Sequence, residues 1–296
     1  MHKIENMIQN ICKKIVLGTA QFGKFPYGIS NKKKIHNKEI NNILNYAWDN
    51  GVEIYDTAET YGCYNILGKF IRKKKIENKI KIITKVPKIY NKLSSEKILV
   101  KTIKKTFKTL KITNIYCLLL HDQKDLNFLI SNRKKLLKLF RKYKVLNFGV
   151  SVYDERYARL LIKKFNKAFI QFPYNPTNKS FINLKKRDNV FFARSIFLQG
   201  LLSEKKINLK NSKLKKCYKN YNNFLKVNNL DGVEFSINFA LANKKIDYLV
   251  IGVNSLKQLK KIIFVKRQKM KLNKFLSKAR LIENIFSSSI VDPRYW

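Results

Sequence analysis

IKIITKVPKIYNKLSSEKILVKTIKKTFKTLKITNIYCLLLH, residues 80–121, holds a strand, a helix and a second strand in that order. The run 80–86 is short, rich in Ile and Val, and closed by Pro87, as a buried strand should be. In 94–110 the apolar Leu99, Ile103, Phe107 and Leu110 recur every three or four positions, which is the period of one helix face. Residues 115–121 are again apolar and end on His121. Two strands joined by a helix pair in parallel, because only a crossover of that length returns the chain to the same edge. The alternation continues outward in both directions. Apolar runs fall at 15–19, 52–57, 80–86, 115–121, 145–151, 168–173, 190–195 and 248–253, with amphipathic stretches at 38–50, 94–110, 124–142, 154–166 and 255–265. Helical segments at 213–226 and 233–243 precede the last run, and another near 273–286 follows it. Eight strands, each followed by a helix, predict a closed (β/α)8 TIM barrel of the α/β class. Few Pro and Gly leave no place to cut the chain, so 1–296 reads as one domain, with 1–14 as an N-terminal extension and 273–296 as a C-terminal helix and tail. The connection from Phe197 to about Lys210 is long, and long loops in compact domains tend to cover sites.

An apolar fraction of 45% excludes a disordered chain. The net charge of +44 raises nucleic acid or anionic membrane as partners. Lysines, however, are spread through every expected helix and interleave with Asn, Ile and Phe, so the expectation is a solvated basic surface with no specific nucleic-acid partner, and a basic approach path for anionic substrates. Cys12, Cys63, Cys117 and Cys217 are far apart, which suggests neither a zinc site nor a disulfide framework and points to a reducing compartment. No apolar run is long enough for a signal peptide or a spanning helix, so no membrane insertion and a cytoplasmic location are expected.

In a βα barrel, chemistry sits where strands end. The second run ends in Asp56, with Tyr61 in the loop after it; Lys85 lies near the end of the third; His121 closes the fourth. An ammonium among Ile and Val is costly unless paired. The four types form a proton-transfer apparatus. Tyrosine, with a pKa of about 10, is a slow donor at neutral pH, and a neighbouring ammonium lowers that value. Lys85 would supply the charge, Asp56 would keep Lys85 protonated and aimed, and His121 would hydrogen-bond the same substrate oxygen as Tyr61.

The segments Gly18-Thr19-Ala20-Gln21-Phe22-Gly23, Asp56-Thr57-Ala58-Glu59-Thr60-Tyr61-Gly62, Thr84-Lys85, His121, Gly149-Val150-Ser151 and Gln171-Phe172-Pro173-Tyr174-Asn175-Pro176 resemble the aldo/keto reductase family in order and spacing, from Gly18 to about Gln258. The resemblance implies a catalytic tetrad of Asp56, Tyr61, Lys85 and His121, and a nicotinamide cofactor across the barrel mouth. It places Thr19 and Asp56 near the nicotinamide ribose, and Ser151 and Gln171 on the carboxamide. Arg194, Ser195, Phe197 and Gly200 would lie beside the ring and pyrophosphate, with Arg194 where the family often has an aromatic residue, so that a guanidinium plane would stack on the nicotinamide. Gly252, Asn254, Ser255 and Gln258, with Lys257, would hold the adenosine end, helped by the first amides of the helix that begins near Ser255. Two departures, Val152 after Ser151 and Ile262 where many members have Asn, fall in cofactor-binding segments. Lys257, Asn254 and Ser255 tilt the choice to NADPH, with NADH as the alternative, and no metal is called for. The implied activity is reduction of a small-molecule carbonyl or sugar-like substrate, or the reverse alcohol oxidation, in a pocket lined by loops near 22–27, 90–92 and 197–210. Three other readings stay open: a cofactor-binding regulatory or interaction module with little turnover, a Schiff-base lyase using Lys85, and nucleic-acid binding through the +44 charge. The tail Asp292-Pro293-Arg294-Tyr295-Trp296 either covers the substrate mouth or packs on the barrel wall.

Overall fold

The computed structural model describes residues 11–23, 27–29, 34–89, 95–204, 207, 209, 211–266, 272–282, 285–286, 290 and 292. Eight parallel strands close into a barrel in sequence order: β1 Ile15–Gly18, β2 Ile54–Asp56, β3 Lys81–Val86, β4 Cys117–Leu120, β5 Phe148–Ser151, β6 Phe169–Pro173, β7 Val190–Arg194 and β8 Tyr248–Gly252. Closure is made by β1, whose Gly18 stands opposite Asp56 on one side and Gly252 on the other. The helices are α1 Asn37–Asp49, α2 Tyr64–Lys74, α3 Ser95–Leu110, α4 Leu126–Ser131, α5 Arg133–Lys142, α6 Glu155–Lys164, α7 Ser212–Val227, α8 Gly232–Ala242, α9 Leu256–Ile263 and α10 Leu272–Arg280. Among the described residues, no helix is long and apolar enough to cross a membrane.

Three expectations are corrected. No helix follows β6, because Pro176 lacks an N–H and biases Asn175 away from helical backbone, while the Asn175 side chain accepts the amides of Thr177 and Asn178 at 2.9 and 3.1 Å. The stretch 124–142 is two helices, broken at Asn132, whose side-chain amide bonds the Phe128 carbonyl at 2.9 Å and competes with the helical ladder. The last helix ends at Arg280, where Leu281 and Ile282 turn back to Lys278 and Ala279, three residues behind, and tighten the final turn.

Strand alternation explains how the barrel positions its site. Val16, Ile54, Ile83, Cys117, Leu119, Phe169 and Phe192 pack together as an inner layer. Side chains two residues along a strand share a face. The next inward positions are Gly18, Asp56, Lys85, His121, Gln171 and Arg194, so the polar residues at the strand ends rest on an apolar plug that keeps water from reaching them from below. β5 contributes Gly149 to the same side, and a Cβ there would sit 1.7 Å from the Phe169 carbonyl oxygen and 2.6 Å from its carbon. Backbone cannot yield as a side chain can. Gly149→Ala is therefore expected to cost about 3 kcal/mol in denaturant unfolding; an unchanged midpoint would contradict this packing of β5 on β6.

Candidate active site

Lys85 and Asp56 form a buried ion pair at 2.5 Å, with side chains 2% and 6% exposed. Burial by itself pushes the Lys85 ammonium towards losing its proton, but Asp56 and then Tyr61 outweigh it, and its pKa ends above the ordinary lysine value. The ammonium also donates to the Thr57 carbonyl at 3.3 Å. The second Asp56 oxygen accepts from Gln171 Nε2 at 2.8 Å, across the barrel from β2 to β6. Both carboxylate oxygens are thus engaged, and Asp56 can orient Lys85. The Asp56 backbone is held in turn by Thr19, whose hydroxyl donates to its carbonyl at 3.0 Å and accepts from the Cys63 thiol at 3.3 Å.

Tyr61 ends a short 3-10 turn, Glu59–Tyr61, and reaches back over this pair. Lys85 Nζ is 5.1 Å from its ring centroid, close enough for its charge to act on the hydroxyl. The direction of its titration corrects the sequence reading. Burial raises the Tyr61 pKa more than Lys85 lowers it, so the phenol stays above its ordinary value and keeps its proton. The ring of His121 stands edge-on to that of Tyr61, with centroids 6.3 Å apart. His121 is exposed at the barrel mouth, but desolvation by the wall behind it and the Lys85 charge lower its pKa to about 4, leaving a neutral imidazole near pH 7.

A cleft of about 760 Å³ opens beside Tyr61 and runs to the start of α9. Of the residues expected at a cofactor, Asp56, Gln171, Arg194, Ser195, Phe197, Gly200, Gly252, Asn254, Ser255 and Gln258 line it. Thr19 and Ser151 are buried and, like Lys85 and His121, are not among its lining residues. Thr19 is turned to Asp56 and holds its carbonyl. After β7 the chain follows an unusual course: Ser195, Leu198 and Gln199 have φ of 54°, 45° and 54°, a left-handed backbone that non-glycine residues seldom adopt. The segment at Gly28 straps onto this loop through a bond from the Ile29 amide to the Gln199 carbonyl at 2.9 Å.

The family model described as "Aldo/keto reductase family" matches residues 14–274, most of the chain. The chain belongs to the aldo/keto reductase family. Membership places it among oxidoreductases. A comparison with curated protein sequences gave no match. Solved structures share the barrel at low identity. The glycerol dehydrogenase AKR11B4 from Gluconobacter oxydans is 17% identical with a TM-score of 0.67, covering 95% of this chain and 93% of its own. The aldo-keto reductase AKR11C1 from Bacillus halodurans, in its holo form, is 16% identical with a TM-score of 0.70, covering 91% of each chain. A thermostable aldo-keto reductase, Tm1743, in complex with the inhibitor epalrestat, is 18% identical with a TM-score of 0.67, covering 92% and 95%.

In this aldo/keto reductase the far end of the cleft departs from the expectation that helix amides await a phosphate. The Leu256 amide already donates to the Glu39 carboxylate at 2.7 Å, and the Gln258 amide to the Ser255 hydroxyl at 3.2 Å. The Gln258 side chain spans the cleft, donating to Glu204 at 2.8 Å and accepting from the Asn254 amide at 2.7 Å. Burial holds the Glu204 carboxyl above its usual range. Glu39, Glu204, Gln21, Tyr153 and Lys261 are site residues that sequence reasoning missed. Glu204 had a signal, as the acid inside Ser203-Glu204-Lys205-Lys206 in a loop already expected to cover the site. Loop residues 24–26 and 90–92, part of 197–210 and the tail residues 293–296 lie outside the described residues. Among the described residues no cluster of His, Cys, Asp and Glu is placed to hold a metal.

Proposed function

We propose that this chain reduces an aldehyde or ketone using a reduced nicotinamide dinucleotide, and oxidises the alcohol in reverse, with Tyr61 as the general acid. The observation that carries this reading is Tyr61 poised over the buried Lys85–Asp56 pair at one end of a long cleft. The residues present fit such a cofactor. The Asn254 side-chain oxygen is buried without a partner, and Gly252 lines the cleft where a Cβ would meet the Gln21 side chain at 2.1–2.4 Å. Gln171, with its amide spent on Asp56, keeps its carbonyl oxygen for a carboxamide, and Ser151 would be its partner there. Arg194 and Ser195 would flank the ring, the loop from Phe197 to Gly200 would face the pyrophosphate, and Asn254, Ser255 and Gln258 would take the adenosine. With the α9 amides taken by Glu39 and Ser255, the preference for NADPH falls to the ammonium groups of Lys257 and Lys261, which line that end. When bound, the reduced nicotinamide supplies the hydride.

The chain's own residues manage the proton. Tyr61 Oη gives its proton to the carbonyl oxygen as negative charge develops there, and neutral His121 offers an N–H to the same atom. Lys85, kept cationic by Asp56, stabilises the phenolate that results and lowers the cost of that transfer. The same pairing weighs against the lyase reading, because an amine held as ammonium cannot attack a carbonyl. The same cleft supports a small molecule as the substrate.

The test is binding of NADPH and of NADH by nucleotide fluorescence, followed by turnover of a carbonyl panel across pH. With His121 lowered to about 4 and Tyr61 raised, the rate of reduction should be level from about pH 5 through neutrality and fall only on the alkaline side of the ordinary tyrosine range, as the donor loses its proton. An alkaline limb centred near neutrality would contradict this, and bound NADPH that no carbonyl oxidises would favour the regulatory module.

A further inference from the structure

Charge does not balance at the reacting end of the cleft. Asp56 and Lys85 cancel as an ion pair. His121 is a neutral imidazole near pH 7, and Tyr61 keeps its proton. Glu204, Lys257 and Lys261 line the other end, with Gln258. Arg194 remains. It ends β7 on the inward face, lines the cleft, and carries a guanidinium that stays charged at any ordinary pH. Nη2 reaches past β6 to the Val152 carbonyl at the end of β5, at 3.2 Å, and Nη1 donates to Ser195 Oγ at 3.3 Å. The group thus lies across the ends of three strands, beside Ser151 and Gln171, the two residues read above as partners of the carboxamide. Among the described residues no carboxylate pairs with it. It is also fixed in place. The Tyr153 ring covers one side, with the guanidinium carbon 3.9 Å from the ring centroid, and Gln123 Oε1 accepts the Tyr153 and Asp154 amides at 2.8 and 3.1 Å. Its charge is felt at both Tyr61 and His121.

A nicotinamide ring held there has two charge states: the reduced ring is neutral and the oxidised ring is a cation. The adenosine and the phosphates are the same in both forms. A fixed, unpaired cation beside the ring therefore repels one form and spares the other. We propose that Arg194 sets the balance between the two states of the bound dinucleotide, so that the reduced form is held about ten- to a hundredfold more tightly than the oxidised form. That range lies between the repulsion of two unit charges about 4 Å apart in water and at a protein surface. The inference deepens, and rests on, the reading of the cleft as a dinucleotide site. Two consequences follow from it. The chain stays loaded with reduced dinucleotide when the oxidised form is in excess, and the spent form leaves readily. By linkage, the exchange on the protein is tilted toward carbonyl and reduced ring by the same factor, so easier loading is offset by a smaller driving force for the transfer itself.

The test is calorimetric and uses the full chain with no carbonyl present. The matched pairs are NADPH against NADP+ and NADH against NAD+, and the pair that binds more tightly is scored. The readout is the ratio of Kd, oxidised over reduced, because every contact to the adenosine and phosphates cancels within a pair. Wild type should give a ratio of about 10 to 100. Arg194→Met should bring it close to one through tighter binding of the oxidised form. Arg194→Tyr should take it below one, since an aromatic face attracts a cation. Arg194→Lys, which keeps the charge, should keep most of the wild-type ratio. ADP-ribose, which lacks the ring, should bind wild type and variants alike. A wild-type ratio near or below one, a ratio that neither neutral variant lowers, or a ratio lowered only because the reduced form binds more weakly overturns the proposal. Failure of all four dinucleotides and of ADP-ribose to bind wild type overturns the dinucleotide reading beneath it.

Discussion

Lys85→Met should destabilise the folded chain by about 3–5 kcal/mol in denaturant unfolding, the cost of leaving a buried charge without its partner. Asp56 would keep its bond from Gln171, which is neutral, and lose the ammonium at 2.5 Å. The protein around it offers no water in compensation, as both side chains are nearly inaccessible. The difference between wild type and variant should depend on pH in a defined sense. The folded-state pKa of Lys85 lies above its unfolded value of 10.5, so its contribution is complete below that pH and is lost as pH rises through the folded value. Reduction should fall by at least about a hundredfold as well, because Tyr61 loses the charge that stabilises its phenolate. A stability difference near zero at neutral pH would mean that the pair is not buried as described.

Tyr61→Phe should separate chemistry from folding. The hydroxyl faces the cleft on a half-buried ring, so its removal should change stability by no more than about 1 kcal/mol. Turnover of carbonyl substrates should drop by about 10²–10⁴, the usual worth of a positioned general acid, with nicotinamide affinity altered only slightly. The alkaline limb of the rate profile should vanish with the group that titrates. A merely structural tyrosine would show the reverse: lower stability and nearly unchanged turnover in the molecules that remain folded.

Much of this architecture could be read from alternation and from the ends of the runs. Ile54 and Asp56, or Ile83 and Lys85, share a strand face, so an apolar residue followed two places on by a polar one marks the top of the barrel. The family model over 14–274 and the closed barrel agree with the fold and family expected from those motifs. What could not be read depends on distance through space. The bond from Gln171 to Asp56 joins residues on opposite strands, and that from Leu256 to Glu39 joins α9 to α1, and neither leaves a local pattern. The raised pKa of Tyr61 was hidden for a related reason, since a sequence shows the neighbouring ammonium but not the water that burial removes. The turn after β6 is different. Its Pro173-Tyr174-Asn175-Pro176 run was in plain view, and the expectation of eight regular repeats overrode it.

The most direct measurement follows the hydrogen itself. Reduced nicotinamide dinucleotide deuterated at the transferring position of the ring, on each face in turn, is mixed with the chain and an aldehyde, and the alcohol is analysed by mass spectrometry. Deuterium on the former carbonyl carbon from one face only is the predicted result. Alcohol without label from either face, or tightly held dinucleotide with no alcohol formed, would contradict the account.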